Sequence, residues 1–369
     1  MQYPPQRANI SFLEPVHLHF WQPIPSFHQE GFLNQLAEAD WVDSLTLKYE
    51  GDIPAELKAS GWPEPKWKCV NASIISDTDI PDAAANQVHF FTGFYTHKKI
   101  WQVFNRLPRS AKCRVFAFAE APALYDWKAP LRRIKYRLNA RRLECRLNGI
   151  LALGERGVQF YRNLLDTACP VHQFAYYDLP LSDFPKAVTP HPHTITQLLY
   201  VGRLIHLKGL DRLFHSLAHL PQNCNGWQLT LVGGGPEERY LKTLANQLNI
   251  HDRIRWAGSV AAHQVATYYQ NSDYLIQPSR SDGWGMTIPE ALRHGCDVIA
   301  TDACGAADLA NPSQRLPKDT AHWPKILLTA IENGPLNDAQ RSANRTRAEA
   351  ICAEVGVARL KQIVHTTPP

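Results

Sequence analysis

The chain has 369 residues with a formal net charge of +5, which allows two domains of ordinary size and gives no argument for a nucleic-acid partner. Its eight cysteines include no Cys-x-x-Cys pair, so zinc and redox motifs are not indicated and reduced thiols are expected. The sequence has neither a secretory signal nor the roughly 18–20 continuous apolar residues that a membrane span needs, and we expect a cytoplasmic protein.

Short apolar strands alternate with helices in the first half of the chain. An amphipathic helix is predicted over residues 30–39, between the first two strands. Strands are predicted over residues 16–20, 45–48, 68–70, 87–91, 114–118 and 149–154. This βαβ pattern is typical of a parallel α/β sheet.

A basic segment runs from Lys128 to Arg146. It contains eight Lys or Arg residues and one acid, Glu144. The helix predicted here has an approximate apolar stripe formed by Leu131, Ile134, Leu138, Leu143 and Leu147. A basic amphipathic helix indicates a surface for anionic lipid, and hence a peripheral position on the membrane. The alternative is a solvated basic face on a helix that packs its stripe against its own domain.

Residues 183–193 are rich in proline and polar side chains and indicate a domain linker. After the linker, strands are predicted over residues 197–201, 228–232, 253–256, 274–277 and 297–300. The helices between and around them are predicted over residues 210–220, 236–248, 262–270 and 288–294. Strict alternation predicts a doubly wound, Rossmann-like domain.

A last helical region, about residues 338–364, is long enough to pack back across the first domain. We therefore predict an N-terminal domain at residues 1–188 and a second domain at residues 189–340. The remaining residues, 341–369, are predicted to form the returning C-terminal helix.

The stretch that carries most chemistry is residues 278–292. A buried strand ends at Gln277, and a loop with Gly283 and Gly285 leads into a helix. The free N–H groups and the dipole at a helix start favour an anion, and glycine lets the backbone approach a ligand closely. Asp282 and Glu290 bracket the loop, and carboxylates accept hydrogen bonds from sugar hydroxyls. Phosphate between hydroxyl groups describes a nucleotide-sugar.

Two cations follow the first strand of the second domain. Gly202 and Arg203 close that strand and Lys208 opens the first helix, so both cations are expected at the carboxyl edge of the sheet, where open α/β folds bind ligands. A cation pair beside a glycine turn suits a diphosphate, at about 1.5–3 kcal/mol for each charge-assisted contact. The alternative is an ordinary surface arginine and lysine.

Two other motifs are weaker. The turn at Gly233 fails as Gly-x-Gly-x-x-Gly because Glu238 stands at the third position, and the sequence has no P-loop. Asp77 and Asp79 resemble the acidic triplet with which some glycosyltransferases hold a divalent metal, but short turns are a more common reason for such spacing. We expect no metal site and no cofactor.

Three motifs in the second half closely resemble the group 1 glycosyltransferases, family GT4. They are Val201-Gly202-Arg203-Leu204 with Lys208, Leu231-Val232-Gly233-Gly234-Gly235, and Asp282-Gly283-Trp284-Gly285 with Pro289-Glu290. The resemblance covers about residues 198–309. It implies the GT-B fold, in which two Rossmann-like domains face each other across a cleft. It also implies a metal-independent transferase that retains anomeric configuration and holds its donor mainly with the second domain.

The resemblance assigns roles to single residues. Arg203 and Lys208 would hold the donor diphosphate, and Glu290 would take the ribose hydroxyls. Asp282 stands where the family usually has Glu, so its contact with the donor sugar would have a shorter reach. Further donor contacts are expected from Gly202, Gly233, Gly258, Val260, Gly283, Trp284, Gly285, Met286 and Thr287.

The first half departs from the family pattern. His28 lies in the loop where many members have a Gly-Gly pair, and Glu120 stands where a His is often found. Together with His89 they are candidates for positioning the acceptor; for each, the alternative is a satisfied polar residue at a strand end. This variant pattern is similar to bacterial enzymes that assemble surface polysaccharides such as O-antigen and capsule.

The leading hypothesis is a transferase that moves a sugar from a nucleotide-sugar to a lipid-linked or lipopolysaccharide-type glycan. It would act at the inner face of the cytoplasmic membrane. One alternative is another enzyme of this fold that acts on a soluble acceptor, such as an epimerase or a glycogen- or sucrose-type synthase. The other is a non-catalytic protein that binds nucleotide-sugars and kept the fold.

Overall fold

Strands with buried, largely apolar faces form two parallel sheets in the computed structural model, which describes residues 15–59, 61–93, 96–108, 110–124, 128–165, 169–186 and 193–368. The first sheet has the order β3-β2-β1-β4-β5-β6-β7 within these residues. Its strands are β1 (Val16–Gln22), β2 (Val42–Tyr49), β3 (Val70–Ile74), β4 (Gln87–Thr92), β5 (Arg114–Ala119), β6 (Gly149–Leu153) and β7 (Val171–Phe174).

Helices connect these strands and cover the first sheet. They are α1 (Glu30–Ala37), α2 (Ala55–Ala59), α3 (Lys98–Arg106), α4 (Ala129–Glu144) and α5 (Gly154–Arg162). The strand order reverses between β1 and β4, which are hydrogen-bonded neighbours although two strands separate them in sequence. Loops that leave the carboxyl ends of strands at such a reversal form a crevice in open α/β folds.

The second sheet repeats this plan with the order β10-β9-β8-β11-β12-β13 in the described part of the chain. Its strands are β8 (Thr196–Val201), β9 (Trp227–Val232), β10 (Ile254–Gly258), β11 (Tyr274–Gln277), β12 (Asp297–Thr301) and β13 (Arg315–Leu316). Its helices are α6 (Leu210–Ala218), α7 (Glu238–Gln247), α8 (Ala262–Gln270), α9 (Thr287–Arg293) and α10 (Trp323–Glu332). The order reverses between β8 and β11, so the Arg203 turn and the loop after Gln277 emerge side by side.

Apolar packing continues from one sheet to the other. A single cluster of buried side chains includes Phe118 and Phe174 of the first sheet together with Trp284 and Ile288 of the second domain. A buried ion pair between Asp178 and Arg293 also joins the segment after β7 to α9. Burial of apolar surface holds the two sheets against each other, and the pairing of Asp178 with Arg293 leaves neither buried charge uncompensated.

The chain returns to the first domain at its C-terminus. Two helices, α11 (Asp338–Glu349) and α12 (Ala353–Thr366), lie where the sequence predicts one helical region. α11 packs against α9, whereas α12 packs against α1. At Gly356 of α12 an added Cβ would lie 2.5 Å from Cγ of Tyr177, so only glycine lets the helix come this close.

The prediction of two parallel α/β sheets is confirmed, with differences at the sheet edges. β3 begins at Val70, where the predicted strand ends, and the short outer strands β7 and β13 were not predicted. Among the described residues, no helix combines the length and the apolar character that crossing a membrane requires.

Candidate active site

A cleft of about 650 Å³ separates the carboxyl ends of the two sheets and is lined by both of them. The side chains that line it include His28, Trp62, Glu120 and Tyr176 from the first half of the chain and Arg203, Lys208, Asp282 and Met286 from the second. Each follows a strand or lies in a connection, which is where α/β folds place ligand-binding residues. The predicted cations and Asp282 therefore lie in one cavity.

The donor loop, defined as residues 278–286, leaves β11 and enters α9. Gly285 has a φ of 91°, a backbone conformation that favours glycine. At Gly283 an added Cβ would lie 1.7 Å from Oε2 of Glu120, so Glu120 can approach the loop this closely only because residue 283 has no side chain. The two glycines thus shape the loop and admit a carboxylate from the opposite domain.

Lys208 and Asp282 pair with each other inside the cleft. Nζ of Lys208 lies 2.5 Å from Oδ2 of Asp282, and the same oxygen accepts a hydrogen bond of 3.1 Å from the side-chain amide of Gln277. Arg203 is exposed and lines the same cavity. The site thus presents one cation paired with a carboxylate and a second, solvated cation.

Glu290 lies on α9 beside His28, which lines the cleft, whereas Glu290 itself is not one of the residues that line it. Its Oε2 accepts a hydrogen bond of 2.8 Å from the hydroxyl of Tyr269, while Oε1 lies 3.8 Å from Nδ1 of His28 in the first domain. Burial raises the pKa of Glu290, against the opposing charge of Arg293. Burial lowers the pKa of His28 to about 4, and Arg293 adds to this effect, so the imidazole is neutral at pH 7.

Glu120 follows β5 and is fixed by two tyrosines. The hydroxyl of Tyr176 donates to its Oε1 at 2.9 Å, and the hydroxyl of Tyr161 donates to its carbonyl oxygen at 3.0 Å. Burial raises the pKa of Glu120; the Tyr176 hydrogen bond opposes this and the charge of Asp282 adds to it. Glu120 and Asp282 are thus two carboxyl groups from opposite domains that face one cavity.

The structure corrects the prediction that His89 positions the acceptor. Its side chain is fully buried within the first sheet, where Trp21 donates to Nδ1 at 3.2 Å and Nε2 donates to the carbonyl of Asp82 at 2.7 Å. Because an indole N–H can only donate, the ring proton must sit on Nε2. Both nitrogen atoms are used inside the protein, so His89 cannot contact an acceptor in this structure.

Four more of the predicted donor residues form two groups. Gly202 and Gly233 pack against each other, since a Cβ at Gly233 would lie 2.0 Å from the Gly202 oxygen. Trp284 and Thr287 lie in the donor loop and at the start of α9. Their Nε1 and Oγ1 atoms are buried and have no hydrogen-bond partner among the described residues, and neither residue is among those that line the cleft.

Gly258 and Val260 lie apart from the cavity described above. They are at and just beyond the end of β10, two strands away from β8 in the sheet. Gly258 has a φ of 71° and open space around its Cα, and Val260 is half-buried. Their place is the far side of the second domain's carboxyl edge.

The acidic triplet has a structural role. Asp79 pairs with Lys48 at 3.2 Å and accepts the backbone N–H of Ser76 at 2.8 Å, as in a short turn. Within the described residues, no group of three or more His, Cys, Asp or Glu side chains is arranged to hold a metal ion.

Four residues of the site were not predicted from the sequence. Trp62 packs edge-on against His28 at 5.3 Å, and Tyr176 and Tyr269 orient Glu120 and Glu290. Arg156, from α5, donates to the donor loop. Only Arg156 carried a signal in the sequence, because it lies in the first turn after a buried strand.

Comparison with known proteins agrees with this architecture. The family described as "Glycosyl transferases group 1" matches residues 183–346. An uncharacterized glycosyltransferase of Haemophilus influenzae is 33% identical over 103 residues, which is 28% of this chain and 29% of that protein. A GDP-mannose-dependent alpha-(1-6)-phosphatidylinositol monomannoside mannosyltransferase of Mycobacterium tuberculosis is 30% identical over 115 residues, 29% of this chain and 30% of that protein. The aligned segments thus span less than a third of either relative.

Solved structures match nearly the whole chain. The lipopolysaccharide outer core galactosyltransferase WaaB superimposes with a TM-score of 0.65 at 15% identity, over 95% of this chain and 99% of that one. HepE of Anabaena, solved with UDP and glucose, gives a TM-score of 0.64 at 14% identity, over 95% of this chain and 100% of that one. Such identities show the fold, so the predicted GT-B fold is confirmed, and residues 183–346 match the group 1 glycosyltransferase family to which the sequence motifs point.

Proposed function

We propose that this chain is an enzyme that transfers a sugar from a nucleotide-sugar donor, with retention of configuration and without a metal ion, to a lipid-linked or lipopolysaccharide-type glycan. The observation that carries the proposal is the convergence of Arg203, Lys208 and Asp282 on one cleft between the two sheets. The family match of the second domain and the UDP bound to HepE support the donor class.

The diphosphate of the donor would lie against Arg203 and Lys208. An ammonium group has three N–H donors, so Lys208 can keep Asp282 and still donate to a phosphate oxygen. These fixed cations stabilise the negative charge that develops on the departing nucleoside diphosphate, which is the largest contribution we expect to the rate. In this reaction the two cations stabilise the departing diphosphate, which is the role that a divalent metal has in other transferases.

The nucleoside would lie toward Glu290. Tyr269 donates to one carboxylate oxygen, and the other lies 3.8 Å from Nδ1 of a neutral His28, whose side chain lines the cleft. A carboxylate is an acceptor only, which suits the adjacent hydroxyls of a ribose. Trp62, edge-on to His28, covers this end of the cleft from the first domain.

The donor sugar would lie between Asp282 and Glu120. Both carboxyl groups face the cavity from opposite domains and can accept hydrogen bonds from sugar hydroxyls. For retention, the acceptor hydroxyl attacks the anomeric carbon on the face that the leaving phosphate departs from, and that phosphate takes its proton. The role of Glu120 in this scheme is to position hydroxyl groups.

The exposed surface of helix α4 supports the proposal that the acceptor is bound to a membrane. Leu131, Ile134 and Leu138, spaced along one helical face, are 64%, 59% and 61% exposed and lie among basic residues. Tyr136 of the same helix lines the cleft. An exposed apolar ridge on a basic helix fits an anionic lipid surface, and the cleft would then open beside the membrane. The peripheral position that we propose is the inner face of the cytoplasmic membrane.

A thermal-shift panel of nucleotide-sugars tests the donor class, because a ligand that binds only the folded state raises the unfolding temperature. The stabilising compound is then used in a transfer assay in EDTA with lipid-linked glycan extracts. We expect turnover in the wild type and none in the Lys208→Ala/Glu290→Ala double variant. Full activity of that variant would reject the site, and activity on soluble acceptors alone would favour a synthase. Tight donor binding with no turnover on any acceptor would indicate a non-catalytic protein.

A further inference from the structure

We propose that Arg156 is a positioning residue that orders the donor loop only while the two domains are docked. The inference rests on the proposed function for its kinetic consequence, but its structural basis is independent of that function. Arg156 lies in the first turn of α5, at the carboxyl end of β6 in the first sheet. Three of its four hydrogen-bond acceptors belong to the other domain.

The side chain of Arg156 contacts both the donor loop and the neighbouring turn after β12. Nη1 donates to the carbonyl oxygens of Asp282 at 3.2 Å and Ala303 at 2.8 Å. Nη2 donates to Oγ of Ser281 at 3.4 Å and to the carbonyl of Pro122 at 3.2 Å. All four acceptors are neutral oxygen atoms. Because the guanidinium is planar and its N–H groups have fixed directions, it holds these oxygen atoms in a fixed arrangement.

These contacts fix the residue that faces the donor sugar. The amide of Asp282 donates to the carbonyl of Ala303 at 2.9 Å, and Asp282 also forms an isolated parallel bridge with Cys304. Arg156 binds the two carbonyls that flank this bridge. Because the carbonyl and the amide of Asp282 are both held, the direction of its side chain toward Lys208 is held as well.

The start of α5 rests on the second domain with no side chain between them. A Cβ at Gly154 would lie 2.0 Å from the Gly305 oxygen, and a Cβ at Gly305 would lie 2.3 Å from the Gly283 oxygen. The amide of Glu155 donates to Oδ2 of Asp308 at 2.6 Å. Contacts this close exist only in the docked arrangement, so a domain movement that separates Gly154 from Gly305 also removes Arg156 from the donor loop.

Loss of Arg156 is expected to lower kcat much more than it changes the donor KM. The donor diphosphate and ribose bind residues of the second domain, whereas Arg156 contributes only after docking, when the loop must hold the sugar for attack. Loss of an interaction made mainly in the transition state lowers kcat with little change in KM. For Arg156→Ala we expect kcat to fall about 10–100-fold while the donor KM changes less than about threefold, given several hydrogen bonds to a charged donor.

The experiment combines hydrogen–deuterium exchange of the full-length protein with steady-state kinetics. The variants are Arg156→Ala, Arg156→Lys and, as a matched control with the same loss of charge, Arg162→Ala at the exposed end of α5. In the ligand-free protein we expect faster exchange over residues 278–286 in Arg156→Ala and no change there in Arg162→Ala. Lysine keeps the charge but lacks the planar set of N–H donors, so Arg156→Lys should restore slow exchange of the donor loop only in part.

Unchanged exchange of the donor loop in Arg156→Ala would overturn the inference, and so would a KM increase equal to the kcat decrease. A fall in kcat in Arg162→Ala as large as in Arg156→Ala would also overturn it, because a general charge effect would then explain both. Since the exchange measurement needs no substrate, a protein without transferase activity would reject the proposed function while the loop result still decides the role of Arg156.

Discussion

The hydroxyl of Tyr269 lies 2.8 Å from Oε2 of Glu290, so one oxygen of this carboxylate is fixed by its own domain. Tyr269 is buried in α8 and stacks on His294, with 5.7 Å between the ring centroids. The tyrosine therefore cannot follow a ligand, and Glu290 presents its second oxygen in one direction. Preorganisation of this kind lowers the entropic cost of binding.

Replacing Tyr269 by phenylalanine tests this relationship. Tyr269→Phe keeps the ring and removes one hydrogen bond to a charged group, so we expect the donor to bind about 5–50-fold more weakly. Donor dissociation constants from calorimetry give the comparison. Tyr240→Phe is the matched control, since Tyr240 is 52% exposed on α7. Equal affinities of the Tyr269 and Tyr240 variants would show that Glu290 needs no orientation.

The Lys208–Asp282 pair predicts a large effect of a single substitution. Lys208→Ala removes a cation from the diphosphate and leaves Asp282 without its partner beside a negative ligand. We expect kcat/KM to fall about 10–150-fold, which corresponds to about 1.5–3 kcal/mol. The control is Lys242→Ala, which breaks an exposed ion pair with Glu238 on α7. A fall of similar size in both variants would contradict a local role.

His89 is expected to make the folded protein less stable at acid pH. Its pKa in the folded protein is lowered by burial from 6.5 to about 4, so between these values the folded state binds fewer protons than the unfolded state. The contribution of the neutral imidazole to stability is therefore complete above pH 6.5 and is lost as the pH falls toward 4. At pH 5 the loss from this one group is about 2 kcal/mol.

The substitution His89→Gln distinguishes the contribution of His89 to the pH dependence of stability from that of the other histidines. Glutamine can accept from Trp21 and donate to Asp82 but does not titrate. We expect the free energy of unfolding, measured in urea, to fall less between pH 7 and pH 5 in the variant than in the wild type. Parallel pH dependences would show that folding does not lower the pKa of His89.

Membrane binding is expected to depend on the apolar ridge of α4. The triple change Leu131→Gln, Ile134→Gln and Leu138→Gln keeps good helix formers at exposed positions and removes the apolar contact with lipid. Co-sedimentation with vesicles of anionic lipid should then be lost, whereas changing the exposed Ile74 and Ile80 to glutamine should have no effect. Undiminished sedimentation of the α4 variant would place the membrane contact elsewhere.

Local patterns predicted the fold and several residues on the second domain's side of the cleft, because both depend on short stretches of sequence. A buried strand followed by glycine and a charged residue places that residue at the carboxyl edge of a parallel sheet, whatever the rest of the chain does. Arg203, Lys208 and Asp282 were found in this way, and the cleft contains all three.

Contacts between distant segments could not be predicted. Arg156 and Asp282 are 126 positions apart in the sequence, and nothing local to either indicates the other. His89 was misassigned because a histidine in an apolar strand reads the same whether it faces a cleft or is buried against Trp21. The apolar stripe of α4 is also divided, with Leu143 buried and Leu138 exposed, which depends on where the neighbouring helix lies.

The return of α12 to the first domain has a mechanical consequence. The chain crosses between the domains twice, once after β7 and once between α11 on α9 and α12 on α1. Each crossing is a covalent tether, so a change in the width of the cleft has to keep both of them intact. The close contact of Gly154 in α5 with Gly305 lies between the same two domains, so an opening that separates the domains at this point also breaks that contact.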